Sequence, residues 1–357
     1  MRGEGFSPWG VDEARKLGIY ELLRSSCGHE LTQASATFGP LSMPLRDLTA
    51  TTPQRAPLLS FFHPTMQETL LEWAVGKGAE VRRGVTVTAV KGGSDPAVTT
   101  VAHHGPAEQL HARLIIGADG RRSMVRHWGG FTVQHDPESN IISGVMLENM
   151  KVPADTLQWL IHPDSGKIVV IFPQRDCARA YLEYPASAPY RLQNERQISH
   201  FIEESAIIAP PEFYLGARPI GPLASFSGAD SWVDHPYRDN VVLVGDAAAS
   251  SDPTYGQGLS LTLRDIRVLR DQLLATSDWN AAANTYAREH DSYYGVTHRV
   301  DNWLTDLLMT TGPQSVTRRD RAFGLIAEDP TRFPDHIMSG PDLPAGDNVR
   351  RRLFGEV

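Results

Sequence analysis

Residues 241–259 constrain the fold of this chain more than any other segment. They open on the apolar run Val241-Val242-Leu243-Val244, turn at Gly245-Asp246, pass through a loop holding Pro253, Gly256 and Gly258, and enter a helical pattern. A short run with no polar interruption predicts a parallel strand covered on both faces. Asp246 then stands at the carboxyl end of that strand, where a carboxylate can accept hydrogen bonds from ribose hydroxyls. Gly256 and Gly258 let backbone N–H groups come close to a ligand that a Cβ would hold off. Over 258–274, Leu261, Leu263, Ile266, Leu269, Leu273 and Leu274 recur at near-helical spacing, which predicts a helix with one face in the core. Strand, acidic turn, glycine loop and helix in that order suit a nucleotide cofactor, and equally an ordinary βα turn of a Rossmann-like domain.

A second segment narrows the choice. The apolar run Leu114-Ile115-Ile116 ends in Gly117-Ala118-Asp119-Gly120, and Ser123 and Arg126 follow at the start of a helical stretch. The two segments together resemble the Asp-Gly and Gly-Asp fingerprints of the flavin-dependent aromatic hydroxylases, the single-component flavoprotein monooxygenases. Gly117, Asp119, Gly120, Ser123 and Arg126 match the form Gly-x-Asp-Gly-x-x-Ser-x-x-Arg without a gap. Gly245, Asp246, Pro253, Gly256 and Gly258 match the second fingerprint, and Gln257 and Leu259 lie in the same loop. The resemblance implies that Asp119 and its backbone hold geometry, that Arg126 brings positive charge near phosphate, that Asp246 binds ribitol or ribose, and that the 253–258 loop lies beside the isoalloxazine. Two positions depart from the pattern: Ala249 stands where His is frequent, and Ser260 where Asn is frequent. Neither change removes a group the redox chemistry needs, because the flavin carries the electrons and the oxygen.

A third stretch agrees. Met66, Leu70, Leu71, Trp73 and Ala74 predict a helix face that Gly76 and Gly78 end, and Val81, Val85 and Val87 alternate as in a strand. His63, just before Pro64 at the helix start, reads as a capping or surface residue and stays outside the expected site. The beginning of the chain departs most from the family. A flavin hydroxylase opens with a strand, a Gly-x-Gly-x-x-Gly turn and a helix that hold the adenosine pyrophosphate, and no such motif is present. Residues 2–19 instead resemble the family segment that follows the second strand, with Arg2 corresponding to an Arg that reaches the flavin. In the family the missing first strand lies between strands expected here at about 80–82 and 114–116. Either Met1 is an internal Met of a longer protein or the chain is a shortened homologue that binds flavin weakly or not at all. The intact pattern after the start favours the first.

The resemblance and the residues together predict an α/β fold. A Rossmann-like FAD-binding domain, truncated at its N-terminus (1–30, 60–130 and 235–278), is interleaved with a smaller mixed or antiparallel sheet domain for substrate (31–59 and 131–234), and a helical tail follows (279–357). Four strands are expected at 141–147, 156–162, 167–172 and 179–184, with Trp159, Phe172, Tyr184 and Phe226 as candidate pocket or core aromatics. The tail shows helical spacing over 281–294 and 303–308 and then turns Pro-rich and polar. The formal charge of −8 and the pI near 5.9 offer no electrostatic reason for nucleic-acid binding. Cys27 and Cys177 are too few for a disulfide framework and have no metal-ligand spacing. No apolar run is long enough to span a membrane and no signal-peptide pattern opens the chain, so a cytoplasmic location is expected. The implied function is hydroxylation of a small apolar or aromatic substrate by O2 through a flavin C4a-hydroperoxide, with FAD as cofactor and NADH or NADPH as electron donor. A flavin-deficient binding or regulatory homologue, a halogenase and a prenyl-chain reductase are the alternatives; the halogenase motif Trp-x-Trp-x-Ile-Pro is absent. No catalytic side chain and no metal ligand is assigned.

Overall fold

The two fingerprint segments are neighbours in space because their strands pair. In the computed structural model, which describes residues 3–102 and 105–357, Val241–Leu243 lies parallel to Ile115–Gly117 with Gly117 opposite Leu243. Both turns therefore leave the sheet at the same carboxyl edge, where parallel α/β sheets bind ligands. Val241, Val242 and Leu243 are fully buried, as an uninterrupted apolar run requires. Arg2, expected near the flavin, lies outside the described residues.

The expected strand at 80–82 is absent. Those residues are exposed and unladdered, and the strand begins at Val85 (Val85–Lys91), pairing with Ala97–Ala102. Ile115–Gly117 is paired on one side only among the described residues, and a strand without a partner satisfies neither its backbone nor its side chains. Ile116 is accordingly 50% exposed although it belongs to an apolar run, and Val81, between Glu80 and Arg82, is 39% exposed. The alternation expected over Val81, Val85 and Val87 also fails. Val87 faces solvent, and Val90 is the residue that reaches the core formed with Ile115, Val125 and Val241.

The second body is a sheet of nine strands among the described residues. Its centre is the antiparallel run Asn140–Glu148, Cys177–Pro185, Lys167–Pro173 and Thr156–His162, which overlies the four strands expected from sequence. Gln33–Phe38 extends the sheet by pairing parallel to Thr156–His162, and Leu41–Ser42 and Arg46–Asp47 pair with it in turn. One face is closed by the helix Ile198–Ala206 and Tyr214 over Val145, Ile171 and Leu182. The other face meets the cofactor turns and the C-terminal helices.

A single helix, Trp279–Leu308, joins the two bodies. Its 30 residues span about 45 Å at 1.5 Å per residue. Asp278 caps it by accepting from the Ala281 N–H at 3.0 Å. Its first half packs Ala283, Tyr286 and Tyr293 against Val242, Val244 and Leu269, and its second half packs Val300, Leu304 and Leu307 against Trp159 and Ile168. The tail beyond it is not only polar coil. Helices Pro313–Glu328 and Asp347–Leu353 bury Ala322, Ile326 and Leu353 in the same core. Phe323 packs on the same core beside Ala322 and Ile326, a stripe interrupted in sequence by arginines.

The helix Pro8–Lys16 crosses Gly258–Ala275 at close range. A Cβ on Gly10 would stand 2.1 Å from Ser260 Oγ and 3.1 Å from its Cα, so only Gly fits. Ser7 and Ser260 hydroxyls bond at 2.9 Å, and the fully buried Glu13 pairs with Arg264 and Arg267. Ser260, the departure from Asn, is thus a packing contact. Gly10→Ala is expected to lower the free energy of unfolding by about 2 kcal/mol, the usual scale of overpacking. Urea denaturation checks this, and a change within about 0.5 kcal/mol would mean the helices do not meet there.

Candidate active site

Both turns open on one cavity of about 400 Å³ between the two bodies. The cofactor side presents Gly120, Gly245, Asp246, Pro253, Gly256, Gly258 and Leu259. The sheet side presents Leu157, Trp159, Ile168, Val170, Phe172 and Phe226. One wall is backbone-rich and polar, the opposite wall apolar and aromatic, a division that suits a flavin edge on one side and an apolar substrate on the other.

Local sequence dictates the polar wall. Gly245 has φ +59°, and its N–H donates to the buried Asp265 carboxylate at 2.7 Å. Asp252 caps the single turn Pro253–Tyr255 by accepting from the Thr254 N–H at 3.0 Å, and Gly256 closes it at φ +66°. The helix Gly258–Ala275 then begins with no side-chain cap on its first N–H groups, which leaves donors and a partial positive charge at the cavity. A Cβ on Gly258 would lie 3.8 Å from Asp246 Oδ1 and 3.7 Å from Ser251 Oγ, filling the space between them.

Other expected cofactor residues are near the site without lining it. Asp119 accepts from Ser123 Oγ at 2.5 Å and from the Met124 and Val125 N–H groups at 2.7 and 3.1 Å, so it caps the helix Met124–Trp128. The Arg126 guanidinium donates to the Arg121 carbonyl at 2.8 Å and the Ala247 carbonyl at 3.3 Å, which fastens one fingerprint turn to the other. Gly117 is a packing glycine: a Cβ would meet Leu243 and Val125 at 2.7 Å. Gln257 accepts from Trp9 Nε1 at 3.0 Å and is buried. Of the candidate aromatics, Trp159, Phe172 and Phe226 line the cavity, whereas Tyr184 is fully buried in the sheet core with its hydroxyl on Ser143 and the Leu192 N–H.

Sequence reasoning left out His63, Gln67, Glu4 and Glu183, all of which line the cavity. His63 and Gln67 lie one turn apart at the start of the helix His63–Gly76. His63 Nδ1 is 2.9 Å from the Gly3 carbonyl, and burial holds its pKa below the ordinary value. Glu4, buried, pairs with Arg179 at 3.2 Å and accepts from the Tyr181 hydroxyl at 3.1 Å, linking the N-terminal segment to the sheet. Glu183 is bonded by Asn140 and by the Thr254 hydroxyl, so the sheet grips the 253–255 turn through one carboxyl. The spacing of His63 and Gln67 on a helix that opens toward the same edge was the one available signal. Glu183 carried none, because its partners come from distant elements.

These features define a flavoprotein fold with a nucleotide-type turn facing an apolar sheet. The chain belongs to the family described as FAD binding domain, whose pattern matches residues 2–294. It is similar to a rifampicin monooxygenase from Rhodococcus hoagii, 28% identical over 269 residues that make up 73% of this chain and 55% of that protein. It is also similar to the ubiquinone hydroxylase UbiL from Rhodospirillum rubrum, 30% identical over 187 residues, 47% of this chain and 38% of that one. The chain spans about half the length of the curated relatives it matches. Among solved structures, HpxO of Klebsiella pneumoniae complexed with FAD and uric acid superposes with a TM-score of 0.74 at 20% identity, covering 99% of this chain and 87% of that one. The flavin-dependent brominase Bmp2 reaches 0.74 at 18%, covering 99% and 84%. Both show the fold. No described helix is long and apolar enough to cross a membrane.

Burial pushes Glu183 well above the ordinary carboxylate range, and the neighbouring Asp252 carboxyl pushes it further, against the bonds from Thr254 and Asn140. An unfolded Glu titrates near 4.3. The folded chain therefore keeps a proton that the unfolded chain has released, so the stability linked to this group is complete below about pH 4 and falls as pH climbs toward the raised value. Glu183→Gln, which cannot ionise, is expected to lose less thermal midpoint than the parent chain between about pH 5 and pH 8. Calorimetry at the two pH values checks this, and parallel losses in both proteins would remove Glu183 as the source.

Proposed function

We propose that this chain is the flavin- and substrate-holding part of a monooxygenase that uses FAD, NADH or NADPH, and O2 to hydroxylate a small apolar or aromatic compound. The observation that carries the reading is the convergence of both fingerprint turns on a cavity whose far wall is an aromatic-rich sheet. The hydroxylase and monooxygenase names of the relatives support the reaction class. The cytoplasmic location expected from sequence belongs to the same proposal, and the two unpaired cysteines agree with it.

The residues present fit the ring and ribityl end of FAD. Asp246 would accept from a ribityl hydroxyl, the N–H groups that open the Gly258–Ala275 helix would face the electron-rich edge of the ring, and Gly256 and Gly258 keep that approach clear. Gly120 and Leu259 complete the wall, while Gly117, Asp119, Arg126 and Gln257 act from behind by holding the turns in place. When bound, FAD supplies the electron transfer and the oxygen chemistry. The apolar wall from Leu157 to Phe226 excludes water and orients the substrate, which keeps a reactive oxygen species from being lost to solvent. No described glycine-rich strand, turn and helix is placed to hold the adenosine half.

Titration of FAD with the purified chain, followed by flavin fluorescence, tests the reading. Saturation at one FAD per chain is expected. Asp246→Ala should weaken binding at least tenfold, about 1.4 kcal/mol, with the unfolding midpoint retained. The loaded chain should then consume NAD(P)H and O2 faster when an aromatic substrate is present. A chain that takes up no FAD is the flavin-deficient homologue, and the monooxygenase proposal fails for it.

A further inference from the structure

A second cavity, of about 170 Å³, is lined in part by Asp252. Asp136, Asp230, Asp252 and Asp301 line it, with Asn302 and Thr305, and none of its lining residues is Lys or Arg. Asp301 is 3% exposed and neither of its carboxylate oxygens has a hydrogen-bond partner; Asp230 is 5% exposed and its Oδ1 has none. Buried carboxyl groups are otherwise paired, protonated or bound to metal. Beside the cavity, His298 Nε2 lies 2.7 Å from Asp136 Oδ2 and 3.9 Å from Asp230 Oδ2, and these three ligand atoms fall within 4.8 Å of one another. Ligands held about 2.1–2.3 Å from one cation stand roughly 3–4.5 Å apart.

We propose that this cavity is a divalent-cation site, with Asp136, Asp230 and His298 as ligands and the buried Asp301 carboxyl group lining the cavity beside them. The long helix presents His298, Asp301, Asn302 and Thr305 on one face, at spacings of three, one and three residues. The His298 ring is fixed before any ion arrives, stacked on Tyr294 at 5.8 Å and 6° and packed on Trp232 at 4.5 Å between centroids. Its Nε2 faces both the Asp136 carboxylate and the Asn302 amide at 3.1 Å. The space admits an ion and a few waters at about 30 Å³ each. Two carboxylates and one imidazole, with waters completing the shell, are the donor set of a hard to borderline ion such as Mn²⁺. The cation would also neutralise the charge facing Asp252, the residue that caps the flavin-side turn.

The test uses the full chain and Mn²⁺ alone, with free Mn²⁺ counted by its electron paramagnetic resonance signal near neutral pH. One bound Mn²⁺ per chain is expected. Asp230→Asn and His298→Gln should each weaken binding at least tenfold while the circular dichroism spectrum is retained. His298 is partly exposed, so it answers the question even if the buried substitution impairs folding. Absence of stoichiometric binding, or binding unchanged in His298→Gln, would overturn the proposal. Neither result depends on flavin uptake.

Discussion

The site depends on one buried carboxylate. Asp265, within the helix Gly258–Ala275, accepts from the Gly245 N–H at 2.7 Å and from the Tyr293 hydroxyl. It therefore ties the cofactor turn, the helix that follows it and the long connecting helix into one unit. Tyr286, two turns before Tyr293 on the same helix, donates to the Leu243 carbonyl at 2.8 Å and fixes the strand end beside the turn. Burial raises the Asp265 pKa while His290, Tyr293 and Gly245 lower it. Hydrogen bonds to a charged group are worth about 1.5–3 kcal/mol each, enough to hold Gly245 in its left-handed conformation.

The second body is brought to the first by polar contacts that only the folded chain can make. Glu183 reaches the Thr254 hydroxyl from the sheet, and Glu4 reaches Arg179 and Tyr181 from the N-terminal segment. Removing one partner of such a buried pair leaves the other without compensation. These contacts set the spacing between the apolar wall and the glycine turn, and so the thickness of the planar group that fits between them. The connecting helix fixes the same spacing from outside, because its two halves are packed in different cores.

Much of this arrangement was legible in the residues. The run 241–244, the strands near 141–184 and the helix after Gly258 carry their period in the chain itself, and the structure reproduces them. The roles within the fingerprints were less legible. A motif lists residues that vary together with a site, and it does not separate those that touch a ligand from those that hold the turns. Asp119, Arg126 and Gln257 bond to backbone groups and to Trp9, so each of them holds a turn whatever else it meets. The strand expected at 80–82 failed for a related reason, since a strand is a property of a pair and residues 80–82 have no partner. Glu183 and the His298 cluster were invisible because their partners are far away in sequence.

The most direct test of this account is the crystal structure of the chain with FAD. The account places the isoalloxazine in the cavity between Gly258 and the Phe172–Phe226 side of the sheet, with a ribityl hydroxyl on Asp246. Flavin density at any other location would contradict it, as would density in the cavity with the ring turned away from the glycine loop.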